Sequence, residues 1–359
     1  MVFVINFVAV FIYYILIKQV MKNKDVSDKV FIWIATIHAI LFRIITCPFQ
    51  VDDAERYVDA YAYISEMTFN EAVLSLNYYT PWGQGFVFFN WLLSVLSNLP
   101  IFLFISASII SVGGVMLYYK KTSYALLVTI SMYLIYPMLY LMGFGVIRQH
   151  MAVVFVLFAL FYVNEWKKSL TLAIIGFLIH NSAIVFFPFF IWNCFFKKHS
   201  QSLKYYFIIV VLIFMLRFFI IIVVSFLPRY LEVLEEGEKT NNIIPLILLV
   251  SLSWLFYKFR INRKINTPLD FNIFSYTIYG IFVAILGLGI PGAGRLTLYN
   301  VYVIPVALTL LYKYSPHKRF YVNMYYYAFM FLSILLISIG INGGERYAFY
   351  YLWEKINVF

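Results

Sequence analysis

Charge is what this sequence has least of. Only 12% of its 359 residues are Asp, Glu, Lys or Arg, while 64% are hydrophobic and 21% aromatic; a soluble domain carries about 25% charged residues. An ordinary soluble fold is thereby excluded. Cysteine is almost missing: Cys47 and Cys194 both lie within apolar segments, so there is no disulfide framework to read. The chain also lacks a Walker motif, Cys/His metal spacing and a nucleophile elbow. The first segment, Met1–Ile17, has neither a basic start nor a small-residue cleavage site. It is expected to be a retained span and not a signal peptide.

What is present is one apolar run after another, each long enough to cross a bilayer core of about 30 Å. The expectation is an all-α, polytopic integral membrane protein: a single transmembrane domain over residues 1–359, with about twelve transmembrane helices plus a re-entrant segment. The net charge of +11 does not call for nucleic acid, because the basic residues are scattered through short loops where they act as topology determinants. Lys18, Lys22, Lys24 and Lys29 put the first loop in the cytoplasm, and Lys120, Lys167, Arg263 and Lys318 mark later cytoplasmic loops. Asp52, Asp53, Glu55, Asp59, Glu66 and Glu71 face a single Arg56, which places the acidic loop 48–81 outside. Glu232, Glu235, Glu236 and Glu238 place loop 228–242 there too.

Two segments depart from simple crossing. For Lys121 to be cytoplasmic, Trp82–Leu99 must begin and end outside, as a re-entrant or surface-lying piece. Ser169–Phe196 has basic residues on both sides yet only 28 residues. Two full spans do not fit, so a hairpin of two short helices is expected, its tip at His180-Asn181-Ser182 entering the membrane from outside.

This map sorts the rare polar groups. Arg148, Gln149 and His150 open a helix at the outer face, His180 sits at the hairpin tip, and Arg295 follows the Gly-rich turn Pro291-Gly292-Ala293-Gly294. Ionisable residues at membrane depth are functional candidates by default. Several arginines beside one cavity point to an anionic substrate, since the guanidinium fork matches phosphate oxygens and keeps its charge. A helix start adds free N–H groups that favour anions. Asp52 and Asp53 fit a general base beside its orienting partner. Each has a plainer reading: a snorkelling Arg148, a hydrogen-bonded core His180, and a packed face for Asp53, Tyr57 and Tyr61. His38, His199 and His317 read as structural, Arg217 stays undecided, and Tyr325-Tyr326-Tyr327 reads as an interface belt. Arg43 falls near the end of the second span with no role attached.

The order of these features resembles the EpsG-like group of bacterial Wzy polysaccharide polymerases, which includes O-antigen polymerases. The resemblance runs from the acidic outer segment through Pro81-Trp82-Gly83-Gln84-Gly85-Phe86, the Arg148-Gln149 helix start, Lys167-Lys168 and His180-Asn181-Ser182-Ala183 to the late Arg295, roughly residues 30 to 300. Where the family has Glu-Pro-Gly-Phe, this chain has Thr80-Pro81-Trp82-Gly83, so that carboxylate is missing and Asp52 or Asp53 becomes the better base. The resemblance implies a fold of the membrane glycosyltransferase C type in the bacterial inner membrane, with no cofactor, nucleotide sugar or metal. Its substrates would be undecaprenyl-diphosphate-linked oligosaccharides, extended at the non-reducing end on the periplasmic face, with membrane lipid and a chain-length regulator as partners. In this picture Arg148, Gln149, His150 and Arg295 hold the diphosphate, and Asp53, Asp52 or His180 takes the hydroxyl proton. A flippase of lipid-linked glycan, an O-antigen ligase and a non-catalytic scaffold are the competing classes. A transporter should show internal repeats and midplane polar residues, and the polar groups here crowd the outer face.

Overall fold

The computed structural model describes residues 2–48, 52–79, 83–199, 211, 243–288, 294–342 and 349–351. The expected span Tyr205–Leu227, with Arg217, and the loop 228–242 lie outside the described residues. Almost all of the described chain is helical. A short antiparallel pair, Thr46–Pro48 with Phe349–Tyr351, is the exception.

Helices α1 (Val2–Val20) and α2 (Lys24–Ile45) pack on each other. The turn is set by Asn23, whose side chain accepts from the amides of Asp25 and Val26, and is tied by Lys18 Nζ to Asp28 at 2.8 Å. On α2, Phe31, Ala35 and Ala39 are buried, while Trp33, Ile37 and Leu41 are exposed. A helix apolar on its outward face as well suits lipid, not water.

The acidic segment forms α3 (Asp52–Ser65) and α4 (Phe69–Tyr79). A capping box starts α4: the Thr68 amide and hydroxyl donate to the Glu71 carboxylate at 2.9 and 2.7 Å. Those bonds hold the Glu71 carboxyl below its usual range, as hydrogen bonding to the charged form does. Next comes α5 (Gln84–Leu96), of 13 residues and so about 20 Å long. That is shorter than a bilayer core of about 30 Å. A Cβ on Gly83 would sit 2.3 Å from the Leu178 carbonyl oxygen, and one on Gly85 would sit 2.9 Å from Leu178 Cβ. Glycine at both places brings the start of α5 against the residues just before His180.

Among the described residues, four helices are long and apolar enough to cross a membrane: Ile101–Thr122, Pro268–Gly287, Arg295–Tyr314 and Pro316–Ser338. Ile147–Phe161 and Ile243–Lys258 are shorter apolar helices, and one further expected span is interrupted. The run Ser123–Met142 is helical only through α8 (Leu126–Ile135). Pro137 follows two residues later, and the residue before a proline is pushed out of the α region. Residues 136–146 are then irregular apart from a 3₁₀ turn at Leu141–Phe144, before α9 (Ile147–Phe161) begins. Irregular backbone at membrane depth must find partners inside the protein, and it does. The Met142 amide donates to Pro137, the Leu139 carbonyl accepts from Tyr302, and the Gly143 carbonyl accepts from Arg43. Ile101–Thr122 is itself made of α6 (Ile101–Ser108), a π turn (Ile109–Gly113) and α7 (Gly114–Thr122).

The segment expected as a hairpin breaks at His180, which is extended (φ −149°, ψ 119°) between α10 (Trp166–Ile179) and a 3₁₀ turn (Asn181–Phe186), followed by α11 (Phe187–His199). The two halves lie against different helices. α10 packs on α9, and α11 packs on the later helix that begins at Pro268.

The second half contains α12 (Ile243–Lys258), α13 (Ile261–Lys264), α14 (Pro268–Gly287), α15 (Gly294–Val301), α16 (Ile304–Tyr314) and α17 (Arg319–Asn342). At one end of the bundle Asp270, whose side chain is 1% exposed, pairs with Lys313 at 2.7 Å. It also accepts from the hydroxyls of Tyr124 and Tyr314 at 2.9 and 2.6 Å. Residues assigned to the cytoplasmic loops by charge meet at this end: Lys264 bonds Ser315, and Lys121 lies over Phe161. α14 starts here and carries the chain to the opposite end. There α9 starts, α10 stops and α15 starts, so Arg148, His180 and Arg295 share that end.

Candidate functional site

Arg148 is the second residue of α9. Its guanidinium lies 5.8 Å from the Tyr57 ring and 5.9 Å from the Phe86 ring, with Nε 3.4 Å from the Tyr57 hydroxyl. Both rings are buried and pack edge to face. Aromatic faces attract guanidinium, so α3 and α5 fix the position of Arg148.

Tyr57 and Tyr61 are both buried, so the face of α3 that carries them is the packed one. Asp53 lies one helical turn before Tyr57, a spacing of about 5–6 Å between Cβ atoms. The backbone of Asp52 and Asp53 belongs to α3; their side chains lie outside the described residues.

Gln149 is 1% exposed and its amide nitrogen donates to the Arg295 carbonyl. This bond ties the start of α9 to the start of α15. The Arg295 side chain is exposed and, among the described residues, has no hydrogen-bond or ion-pair partner. Pro291, Gly292 and Ala293 before it lie outside the described residues.

His180 caps the 3₁₀ turn that follows it. Its Nδ1 accepts from the Ser182 amide at 3.2 Å and lies 2.6 Å from the Ser182 hydroxyl, which is 2.9 Å from the hydroxyl of the buried Tyr299. Among the described residues, Arg148 and Arg295 act electrostatically on the His180 ring. Two guanidiniums and an imidazole thus belong to the starts of α9 and α15 and the break after α10, which the Gln149–Arg295 and Ser182–Tyr299 hydrogen bonds tie together.

His150 lies deeper, 1% exposed. The Tyr302 hydroxyl contacts both the Leu139 carbonyl and His150 Nδ1. A carbonyl only accepts, so the single Tyr302 proton goes to Leu139 and His150 Nδ1–H donates to Tyr302. His150 Nε2 is left as a buried acceptor without a hydrogen-bond partner among the described residues, within electrostatic reach of His180 and Arg43.

Arg43 is the functional candidate that the sequence reading passed over. It is 5% exposed; Nη1 donates to Ser111 Oγ in the π turn at 2.9 Å, and Nη2 donates to the Gly143 carbonyl. A Cβ on Gly143 would lie 2.8 Å from both guanidinium nitrogens. The signal was available, since an arginine inside a span is a candidate on its own. What the sequence did not reveal was its partner.

This arrangement can bind an anion between Arg148 and Arg295 at one end of an apolar bundle, with a hydrogen-bonded imidazole beside it. No curated protein and no solved structure matches the chain. The model of one protein family does, over residues 37–352, a range that takes in both histidines and all three arginines just described. The chain belongs to the EpsG family, the family of Wzy-like polysaccharide polymerases.

Proposed function

We propose that this protein is a glycosyltransferase of the bacterial cytoplasmic membrane that polymerises polysaccharide, O-antigen in the first instance, at the outer face. It moves a growing glycan from undecaprenyl diphosphate to the non-reducing end of a lipid-linked repeat unit. The observation that carries this reading is that Arg148, Arg295 and His180 lie on elements tied together at one end of an apolar helical bundle by the Gln149–Arg295 and Ser182–Tyr299 hydrogen bonds, in a chain of this family. A polyprenyl tail belongs beside lipid-facing helices, and its diphosphate belongs at the bundle end, where two permanent cations can take it in bidentate fashion.

The reaction is a direct displacement. An acceptor hydroxyl attacks the anomeric carbon, the bond from that carbon to the diphosphate oxygen breaks, and the departing diphosphate keeps the electron pair. Arg148 and Arg295 stabilise the charge that develops on it. Asp53, with Asp52 beside it, or His180 accepts the hydroxyl proton. A chain-length regulator is the expected protein partner.

Glycan analysis of a deletion strain tests the assignment. Caps of a single repeat unit are the expected result. Unchanged long chains reject the polymerase reading, and complete absence of glycan moves the assignment to a flippase or ligase.

A further inference from the structure

We infer that His180 serves the site as a hydrogen-bond donor through Nε2–H, a third contact for the diphosphate, and not as the base for the acceptor hydroxyl. The identity of the bound group rests on the polymerase reading; the direction of the hydrogen bonds rests on the geometry.

The argument is a count of protons. The Ser182 amide lies 3.2 Å from His180 Nδ1 and can only donate. A proton on Nδ1 would set two donors against each other, so Nδ1 is the accepting edge of the ring. The Ser182 hydroxyl, 2.6 Å away, then donates to the same nitrogen and accepts from Tyr299 at 2.9 Å. A neutral imidazole with a bare Nδ1 carries its proton on Nε2. Nε2 has no protein partner among the described residues. The ring orientation is fixed by the fold, because His180 is the extended residue that caps the following 3₁₀ turn.

A ring in this state has no lone pair left for a hydroxyl proton. What it presents is one N–H, and among the described residues Arg148 and Arg295 act electrostatically on it. That donor set complements the oxygens of a diphosphate. The proton of the acceptor hydroxyl must then go elsewhere, and Asp53 is the remaining candidate.

Two amide replacements separate the roles of the ring, because a Gln amide nitrogen reaches the place of Nε2 and an Asn amide oxygen reaches the place of Nδ1. The variants His180→Gln, His180→Asn and His180→Ala are compared in the full-length protein in lipid nanodiscs by binding of undecaprenyl diphosphate, and in cells by glycan length. The expected result is that His180→Gln retains part of the binding and chain length, with at least tenfold weaker binding and short chains for His180→Asn and His180→Ala. Activity in His180→Asn but not in His180→Gln would reduce His180 to a cap and overturn the inference. Normal diphosphate binding by all three variants with no polymer from any of them would make His180 the base and overturn it equally. Full activity in all three, or no diphosphate binding by the wild type, also overturns it. A wild type that binds diphosphate while the deletion strain keeps long chains rejects the polymerase reading alone, and the binding series still decides the role of His180.

Discussion

The Arg43 guanidinium donates to the Gly143 carbonyl across 100 residues of sequence, and its Nη1 holds Ser111 in the π turn Ile109–Gly113. This buried arginine joins a distorted helix to the irregular stretch that ends where α9, and with it Arg148, begins. A methyl group at residue 143 would meet Nη1 and Nη2 at 2.8 Å, and overpacking of a filled interior costs about 1–3 kcal/mol. Gly143→Ala should therefore lower the melting midpoint of the purified protein and shorten the glycan together. Arg43→Ala removes the donor from a buried carbonyl, at about 1–3 kcal/mol, and should do the same. Unchanged melting in both variants would show that this contact does not hold the segment.

Arg148→Ala and Arg295→Ala should leave single-repeat glycan at normal protein levels. Losing a charge-assisted contact to a leaving group typically costs about 10²–10³ in rate. Arg148→Lys should recover little, because an ammonium lacks both the bidentate fork and the flat face that lies against Tyr57 and Phe86. Long-chain glycan from Arg148→Ala would remove this residue from the site.

Asp53→Asn keeps size and removes the proton acceptor. If Asp53 is the base, polymerisation stops while undecaprenyl diphosphate still binds, which separates this variant from the arginine ones. Long chains from Asp53→Asn, with short chains from Asp52→Asn, would transfer the role to its neighbour.

At the other end of the bundle, Lys313→Ala leaves the buried Asp270 carboxylate without its cation. Breaking a buried pair by removing one partner costs about 3–5 kcal/mol. Thermal melting should drop well below wild type, with diphosphate binding intact in the protein that remains folded. A melting curve that matches wild type would show that the tyrosine hydroxyls suffice for Asp270.

Sidedness is checked by cysteine labelling in a background without native cysteines. Glu66 is exposed on the acidic segment and Arg263 is exposed beside the Asp270 end. An impermeant maleimide should label Glu66→Cys in intact cells and leave Arg263→Cys unlabelled. The reverse pattern would invert the whole orientation.

The scarcity of charge and the recurring apolar runs were enough to read a helical membrane protein, because burying backbone in lipid allows few other structures. The break at His180 was also legible, since the apolar run from Ser169 to Phe196 is too long for one span and too short for two. Arg148, His180 and Arg295 stood out locally, as costly polar residues in apolar surroundings. Spacing carried no information about which distant group each one meets. The partners of Arg43 and Gln149 lie 100 and 146 residues away, and only packing of the helices brings them together. The same holds for the proton positions. Whether a histidine donates or accepts depends on the carbonyl, amide and hydroxyl that surround it, so the sequence of Ile179-His180-Asn181-Ser182 marked the residue and the tertiary structure set the direction of its hydrogen bonds.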